Sequence, residues 1–241
     1  MATYVATDLH GMYDLWSEIK NYLKENDMLF YLGDAIDRGD RGFEIFMELL
    51  DDPRVIYIKG NHEDMMYNAF TAIGPAGTEW FKEWQKNGAR ETLDNITKLG
   101  LTYEQKMSYV DQIRDMPTAM TYVNDNKTCF YLTHAGITPN EKYFLMNDFD
   151  RETLEMWDRK HILDEWPENY KDKDVVVVHG HTPIQLMAQY APKYFMKYSN
   201  EFPLYYCKCH KLNLDTGAFS SNMAILFNLD TEQTEMIIKG E

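Results

Sequence analysis

Ten polar side chains stand where apolar runs end in this sequence: Asp8, His10, Asp34, Asp37, Arg38, Asn61, His62, His134, His179 and His181. Five of the seven histidines belong to this set, so imidazole is concentrated at turns of the chain rather than spread over helix faces. Carboxylate, imidazole and amide oxygen together suit borderline divalent metals such as Mn, Fe and Zn. A single carboxylate bridges two cations about 3.5–4 Å apart while nitrogen and oxygen donors complete each shell. Asp34, central in the order, is the expected bridge. In Asp8-x-His10 both side chains share one side of an extended strand end, because residues two apart face the same way. They are expected to hold one metal together with Asp34, and Asn61, His134 and His181 to hold the other. Taken singly, each residue reads as an ordinary turn residue or a hydrogen-bonded histidine. Their recurrence after successive strands is what points to a shared site.

For those turns to converge, the strands before them must lie side by side. Thr3 to Thr7, Met28 to Leu32 and Val55 to Ile58 read as strands. Between them are two amphipathic helices, one with Leu15, Ile19 and Leu23 on a face and one carrying Phe43, Phe46, Met47 and Leu50. This alternation predicts a parallel sheet, in which ligands gather beyond the carboxyl ends of the strands. From about 64 to 116 the pattern is helical and rich in Trp, Met and Tyr, and it is read as a helical cap insertion. A second β-rich section follows, over Ala119 to Val123, Thr128 to Thr133, Val175 to Val178, Lys211 to Leu214 and Met223 to Leu229. The expected fold is therefore α/β, with two packed mixed sheets flanked by helices in one domain spanning 1–241. Pro183 to Cys209, with its Tyr and Lys content, reads as a surface loop or hairpin.

Composition excludes several function classes. The formal charge of -15, from 39 acidic against 24 basic side chains, argues against a nucleic-acid or anionic-membrane surface, since both depend on Lys and Arg meeting phosphate. A small phosphorylated substrate stays open, because metal ions reverse the field at one pocket. No window is long and apolar enough for a membrane span, and the first residues lack the pattern of a signal peptide. The expectation is a cytoplasmic protein. Three cysteines, Cys129, Cys207 and Cys209, fit a reducing compartment. Cys207-Lys208-Cys209-His210 has the spacing of half a metal site, with no second half elsewhere.

In order, the motifs are Asp8-x-His10-Gly11, Gly33-Asp34-x-x-Asp37-Arg38-Gly39, Gly60-Asn61-His62-Glu63, His134-Ala135-Gly136 and Gly180-His181-Thr182. This set resembles the metallophosphoesterase superfamily, and within it the phosphoprotein phosphatases of the compact bacterial and phage lambda type. Trp84 with Asn87-Gly88, Trp157-x-Arg159 and Leu214-Asp215-Thr216-Gly217 extend the resemblance over nearly the whole chain. Ala89 departs from it, standing where a second glycine is expected. The fold implied is the αββα sandwich of calcineurin-like enzymes.

The resemblance implies a role for each matching residue. Asp8, His10 and Asp34 fall at one metal, and Asp34, Asn61, His134 and His181 at the other. His62 matches the general acid and Asp37 the carboxylate that orients it, while Arg38 and Arg159 match two phosphate-binding arginines. The Gly-His-Thr context favours His181 over His179 as the ligand, and Glu63 is expected to cap or brace its loop. The implied cofactors are two divalent ions, foremost Mn, with Fe or Zn as alternatives. The implied reaction is direct attack of a metal-bridging hydroxide on phosphorus, making the chain a phosphomonoesterase, foremost a serine/threonine protein phosphatase. The substrate is then a phosphorylated protein or a small phosphoester. Two alternatives stand beside it: a symmetric diadenosine tetraphosphate hydrolase, which shares these motifs, and a phosphoprotein-binding module without turnover. Glu63, where the dinucleotide hydrolases are expected to carry Asp, favours the phosphatase. Oligomeric state has no signal in the sequence.

Overall fold

A computed structural model describes residues 1–137, 145–163, 175–187, 204–206 and 210–238. Most of the expected loop between 183 and 209, including Cys207 and Cys209, lies outside the described residues.

Two five-stranded sheets form the centre. The first has the order β10-β9-β1-β2-β3, with β1 (Thr3–Ala6), β2 (Met28–Tyr31) and β3 (Val55–Tyr57) parallel. Antiparallel β9 (Met223–Asn228) and β10 (Gln233–Ile238) complete it. The second has the order β4-β5-β6-β8-β7, with β5 (Cys129–Thr133), β6 (Val175–His179) and β8 (Lys211–Asn213) parallel. Here β4 (Ala119–Val123) and β7 (Leu204–Tyr206) are the antiparallel edges. Each sheet thus contributes three parallel strands, and six carboxyl ends become available to a site.

Period-two alternation decides which side chains lie between the sheets. Val5, Phe30, Leu32 and Ile58 face Phe130, Leu132, Val178 and Leu212, with Phe130 edge-on to Phe227 at 6.4 Å. Tyr4, Ala6, Leu29, Tyr31 and Tyr57 point the other way, into the core under the helices. Burying such side chains contributes roughly 1.5–3 kcal/mol each, which holds the strand ends in fixed register.

Helix α1 (Tyr13–Tyr22) buries Leu15, Trp16 and Ile19, and Leu23 just past its end is buried as well. Helix α2 (Gly42–Asp51) buries Phe43, Ile45, Phe46 and Leu49, whereas Met47 and Leu50, expected inside, are only half-buried. Because α2 packs on α1, on β3 and on a later helix at once, its buried face is broader and turned from the simple stripe. Between β3 and β4 the chain is helical: α3 (Asn61–Thr71), α4 (Pro75–Lys86), α5 (Ala89–Leu99), α6 (Tyr103–Val110) and a 3-10 turn at Asp111–Asp115. Helices α7 (Asp148–Trp157) and α8 (Lys160–Leu163) follow β5, and α9 (Ala218–Ser221) precedes β9. Among the described residues no helix is long and apolar enough to cross a membrane.

Candidate metal centre and active site

The turns after the parallel strands are stitched together beyond the regular ladders. Asp8 N donates to Gly33 O at 3.1 Å, His10 N to Asp34 O at 3.0 Å, and Gly11 N to Ala35 O at 2.8 Å. Within the second sheet, beyond β5 and β6, Gly180 N donates to His134 O at 2.8 Å. This close packing explains the glycines. A Cβ on Gly33 would lie 2.5 Å from the Gly60 Cα, and one on Gly180 would lie 1.9 Å from the Asp8 Oδ2. Asp8, His10, Asp34, Asp37, Arg38 and His181 all adopt positive φ, between 43° and 69°. Left-handed backbone is uncommon for side-chain-bearing residues and gathers at functional sites. Here it turns each side chain inward immediately after its strand.

Asp34 Oδ2 is the centre of the cluster. The Nε2 atoms of His134, His10 and His62 lie 3.4, 3.6 and 3.7 Å from it. Two donor groups share this carboxylate: His10, Asp34 and His62 on one side, and Asp34, His134 and His181 on the other. Asp8 borders the first, its Oδ1 4.0 Å from His10 Nε2. Asn61 belongs with the second, its Oδ1 3.0 Å from His134 Nε2 and 2.9 Å from His181 Nδ1.

Hydrogen bonding tests whether cations fit here. His134 Nδ1 lies 2.6 Å from Leu32 O and His10 Nδ1 2.9 Å from Ile36 O. A carbonyl only accepts, so each Nδ1 carries the proton and a neutral ring presents the bare lone pair of Nε2 to the centre. The lone pair of His134 then faces the oxygens of Asn61 and Asp34, acceptor against acceptors. His181 Nε2 is also buried without a hydrogen-bond partner. Only an extra proton or a cation reconciles such a set, and its mixed N/O chemistry suits two divalent metals.

The charges agree. Burial opposes a cation on His134, but Asp34 and Asp8 outweigh it and push the ring up to about 10. Burial lifts the Asp8 carboxyl to about 7, with His134 pulling it down and Asp34 pushing it up. Burial also works against the Asp34 anion, yet His134, His62 and His10 together hold it well below the usual carboxylate range. Without metal, protons supply the positive charge this pocket needs.

Beside the donor groups lies a second assembly. His62 Nδ1 donates to Asp37 Oδ2 at 2.6 Å, leaving Nε2 directed into the pocket, 3.2 Å from Arg38 Nη2. Arg38 Nη1 lies 2.5 Å from His10 Nε2, so the guanidinium spans both histidines. Arg159 Nη1 donates to Thr182 Oγ1 at 3.1 Å, on the residue next to His181.

All the expected site residues except His179 thus meet in one place. The His179 ring turns away, with Nδ1 3.0 Å from Gly180 O and the ring edge-on to His161 at 4.8 Å. Glu63 braces the turn as expected: its carboxylate accepts from Asp34 N, Ala35 N, Gly60 N and Tyr57 OH, all within 3.1 Å. Thr92 and Thr7 escape a sequence reading, and Trp84 stands out there only as part of a matching motif with no role attached. Trp84 Nε1 and Thr92 Oγ1 both donate to Asp37, and Thr7 Oγ1 donates to Asp8 Oδ2 at 2.5 Å. Asp215, given no role at the site by the sequence, sits buried past the sixth parallel strand. Burial and the neighbouring Asp8 hold its carboxyl well above the usual range. The motif Leu214-Asp215-Thr216-Gly217 marks the residue in the sequence, and its place after a parallel strand is what brings it to the site.

Comparison with known proteins agrees with this geometry. A family model described as calcineurin-like phosphoesterase matches residues 1–215. The chain is 26% identical over 167 residues to serine/threonine-protein phosphatase 2 of Salmonella typhimurium, covering 66% of this chain and 69% of that protein. It is 28% identical over 145 residues to the symmetrical bis(5'-nucleosyl)-tetraphosphatase of Histophilus somni, covering 58% of this chain and 46% of that one. Among solved structures, a cold-active protein-tyrosine phosphatase from a psychrophilic Shewanella superposes with a TM-score of 0.64 at 16% identity, over 98% of this chain and 77% of that chain. At that identity the likeness establishes the fold.

Proposed function

The chain belongs to the calcineurin-like phosphoesterase family, and from that premise we propose that it is a metal-dependent phosphomonoesterase acting on phosphoserine and phosphothreonine in proteins. The observation that carries this reading is the single Asp34 oxygen faced by the ring nitrogens of His10, His62 and His134 within 3.7 Å. Asp8, His10 and Asp34 would hold one divalent cation, and Asp34, Asn61, His134 and His181 the other. When bound, such a pair polarises phosphoryl oxygens and activates water near neutral pH.

The remaining steps are those of the chain's own residues. Arg38 and Arg159 bind the phosphate oxygens, each guanidinium presenting paired N–H donors that match a phosphate edge. His62 gives its Nε2 proton to the departing oxygen, which otherwise leaves as a costly alkoxide. Asp37, receiving Nδ1–H at 2.6 Å, sets which ring nitrogen faces the substrate. The 3.2 Å between Arg38 Nη2 and His62 Nε2 supports one substrate pose that serves both residues.

Relatives named as serine/threonine phosphatases support the protein-phosphatase reading, and relatives named as dinucleotide tetraphosphatases support hydrolysis of diadenosine tetraphosphate as the second. A product assay on the Mn-reconstituted chain separates them. The proposal expects inorganic phosphate from phosphoserine and phosphothreonine peptides at rates well above ADP release from the dinucleotide. Rapid ADP release with untouched phosphopeptides would replace it with the second reading, and no turnover on either would leave a binding module.

A further inference from the structure

Asp37 is fully buried and carries more hydrogen bonds than a lone orienting carboxylate needs. Oδ2 accepts from His62 Nδ1 at 2.6 Å and from Trp84 Nε1 at 2.8 Å, while Oδ1 accepts from Thr92 Oγ1 at 2.6 Å. The Thr92 hydroxyl also accepts from Asp37 N at 2.9 Å, so it closes a ring on the same residue. Next along, Arg38 N donates to Gly88 O at 3.2 Å. Trp84 lies on α4, Gly88 at the α4–α5 junction and Thr92 on α5. The indole is fully buried and edge-on to Phe70 of α3 and Phe81 of α4, at 5.6 and 6.3 Å.

A carboxylate held through one oxygen still rotates about its own bond, and an imidazole bound to it follows. With both oxygens pinned, the carboxylate plane is fixed, and with it the direction of His62 Nε2. The strained backbone at Asp37 (φ 69°) and Arg38 (φ 67°) is held by the same helices. We propose that Trp84 and Thr92 are positioning residues for proton donation to the leaving group. Through Asp37 they aim His62, and the helical segment between β3 and β4 thereby takes part in leaving-group chemistry. This rests on the reading of His62 as the general acid.

The test is a leaving-group series on the Mn-loaded full chain, comparing p-nitrophenyl phosphate, whose leaving group departs without a proton, with phenyl phosphate, whose leaving group needs one. Thr92→Val, isosteric and without the hydroxyl, and Trp84→Phe, which keeps an aromatic ring, are compared with His62→Ala. His62→Ala is expected to lose roughly 100-fold more kcat on phenyl phosphate than on p-nitrophenyl phosphate, within the usual contribution of an acid. Thr92→Val and Trp84→Phe are expected to show the same bias at about tenfold, a fraction of that contribution, in kcat rather than KM, and Thr92→Ser, which keeps the hydroxyl, is expected to show none. If His62→Ala shows the bias and Thr92→Val and Trp84→Phe lower both substrates equally, or neither, the positioning role is wrong. If His62→Ala itself shows no bias, the acid assignment falls and the proposal with it. Should Trp84→Phe fail to fold, the Thr92 pair decides alone.

Discussion

At the scale of single residues, this molecule concentrates neutral histidine where water does not reach. His10, His161 and His181 are all held well below the ordinary imidazole range, each by burial first and then by neighbouring positive groups. His161 is the clearest because it lies outside the metal groups, with Lys211 and His179 adding to burial. The native ring stays neutral, whereas the unfolded chain takes a proton near pH 6.5. As pH falls below about 6.5 the unfolded state binds one proton more, so stability drops with a slope of about 1.4 kcal/mol per pH unit for this group. Thermal melts of chelated protein from pH 7 to pH 5 should therefore show a shallower acid limb in His161→Gln by about one proton. An unchanged slope would mean the native ring is charged. Residue identities were the most legible layer of the sequence. Asp34, His134 and Asn61 suggest metal chemistry by type and spacing, and the fold brings their side chains together. Thr92 carries no such signal, because a donor to a buried carboxylate looks in sequence like any helix-face Thr, and the motif that includes Trp84 does not reveal its bond to Asp37.

At the scale of elements, strand and helix order followed from hydrophobic periodicity, while helix register and the last strands did not. The α2 helix buries Ile45 and Leu49 rather than Met47 and Leu50, because packing on α1, α5 and β3 overrides a single-face pattern. Strand β10, Gln233–Ile238, was not recognised: Gln233, Thr234 and Glu235 at its start conceal an edge strand that β9 alone pairs. Helix α7 was missed as well, although Asn147 caps it by accepting from Asp150 N at 2.9 Å. The glycines between strands and ligands were visible, but their purpose is contact between turns. Gly180 leaves no room for a Cβ between it and Asp8 Oδ2. Gly180→Ala should keep the secondary structure by circular dichroism and weaken Mn binding by about 10–100-fold, the usual cost of disturbing a ligand's support. Calorimetric titration checks this, and unchanged affinity would show that Asp8 is not constrained from that side.

At the scale of the whole molecule, two five-stranded sheets each point three parallel strands toward one place, and the site lies where those ends meet. The architecture was legible because α/β alternation and strand-end motifs agree with each other. Of the loop or hairpin expected over Pro183 to Cys209, the described residues show a 3-10 turn at Ile184–Leu186 and the edge strand Leu204–Tyr206, and the rest stands as an expectation only. The formal charge of -15 makes the surface unfavourable to phosphate in general, so a local cation pair and the guanidinium groups of Arg38 and Arg159 would have to attract it. The proposed function requires Asp34 to be one carboxylate shared by two metals. Counting Mn bound per chain, by elemental analysis after equilibrium dialysis, in the wild type and in Asp34→Asn tests this. Two equivalents in the wild type and at most one in Asp34→Asn are expected. A single equivalent in the wild type, or two retained at equal affinity in Asp34→Asn, would contradict it.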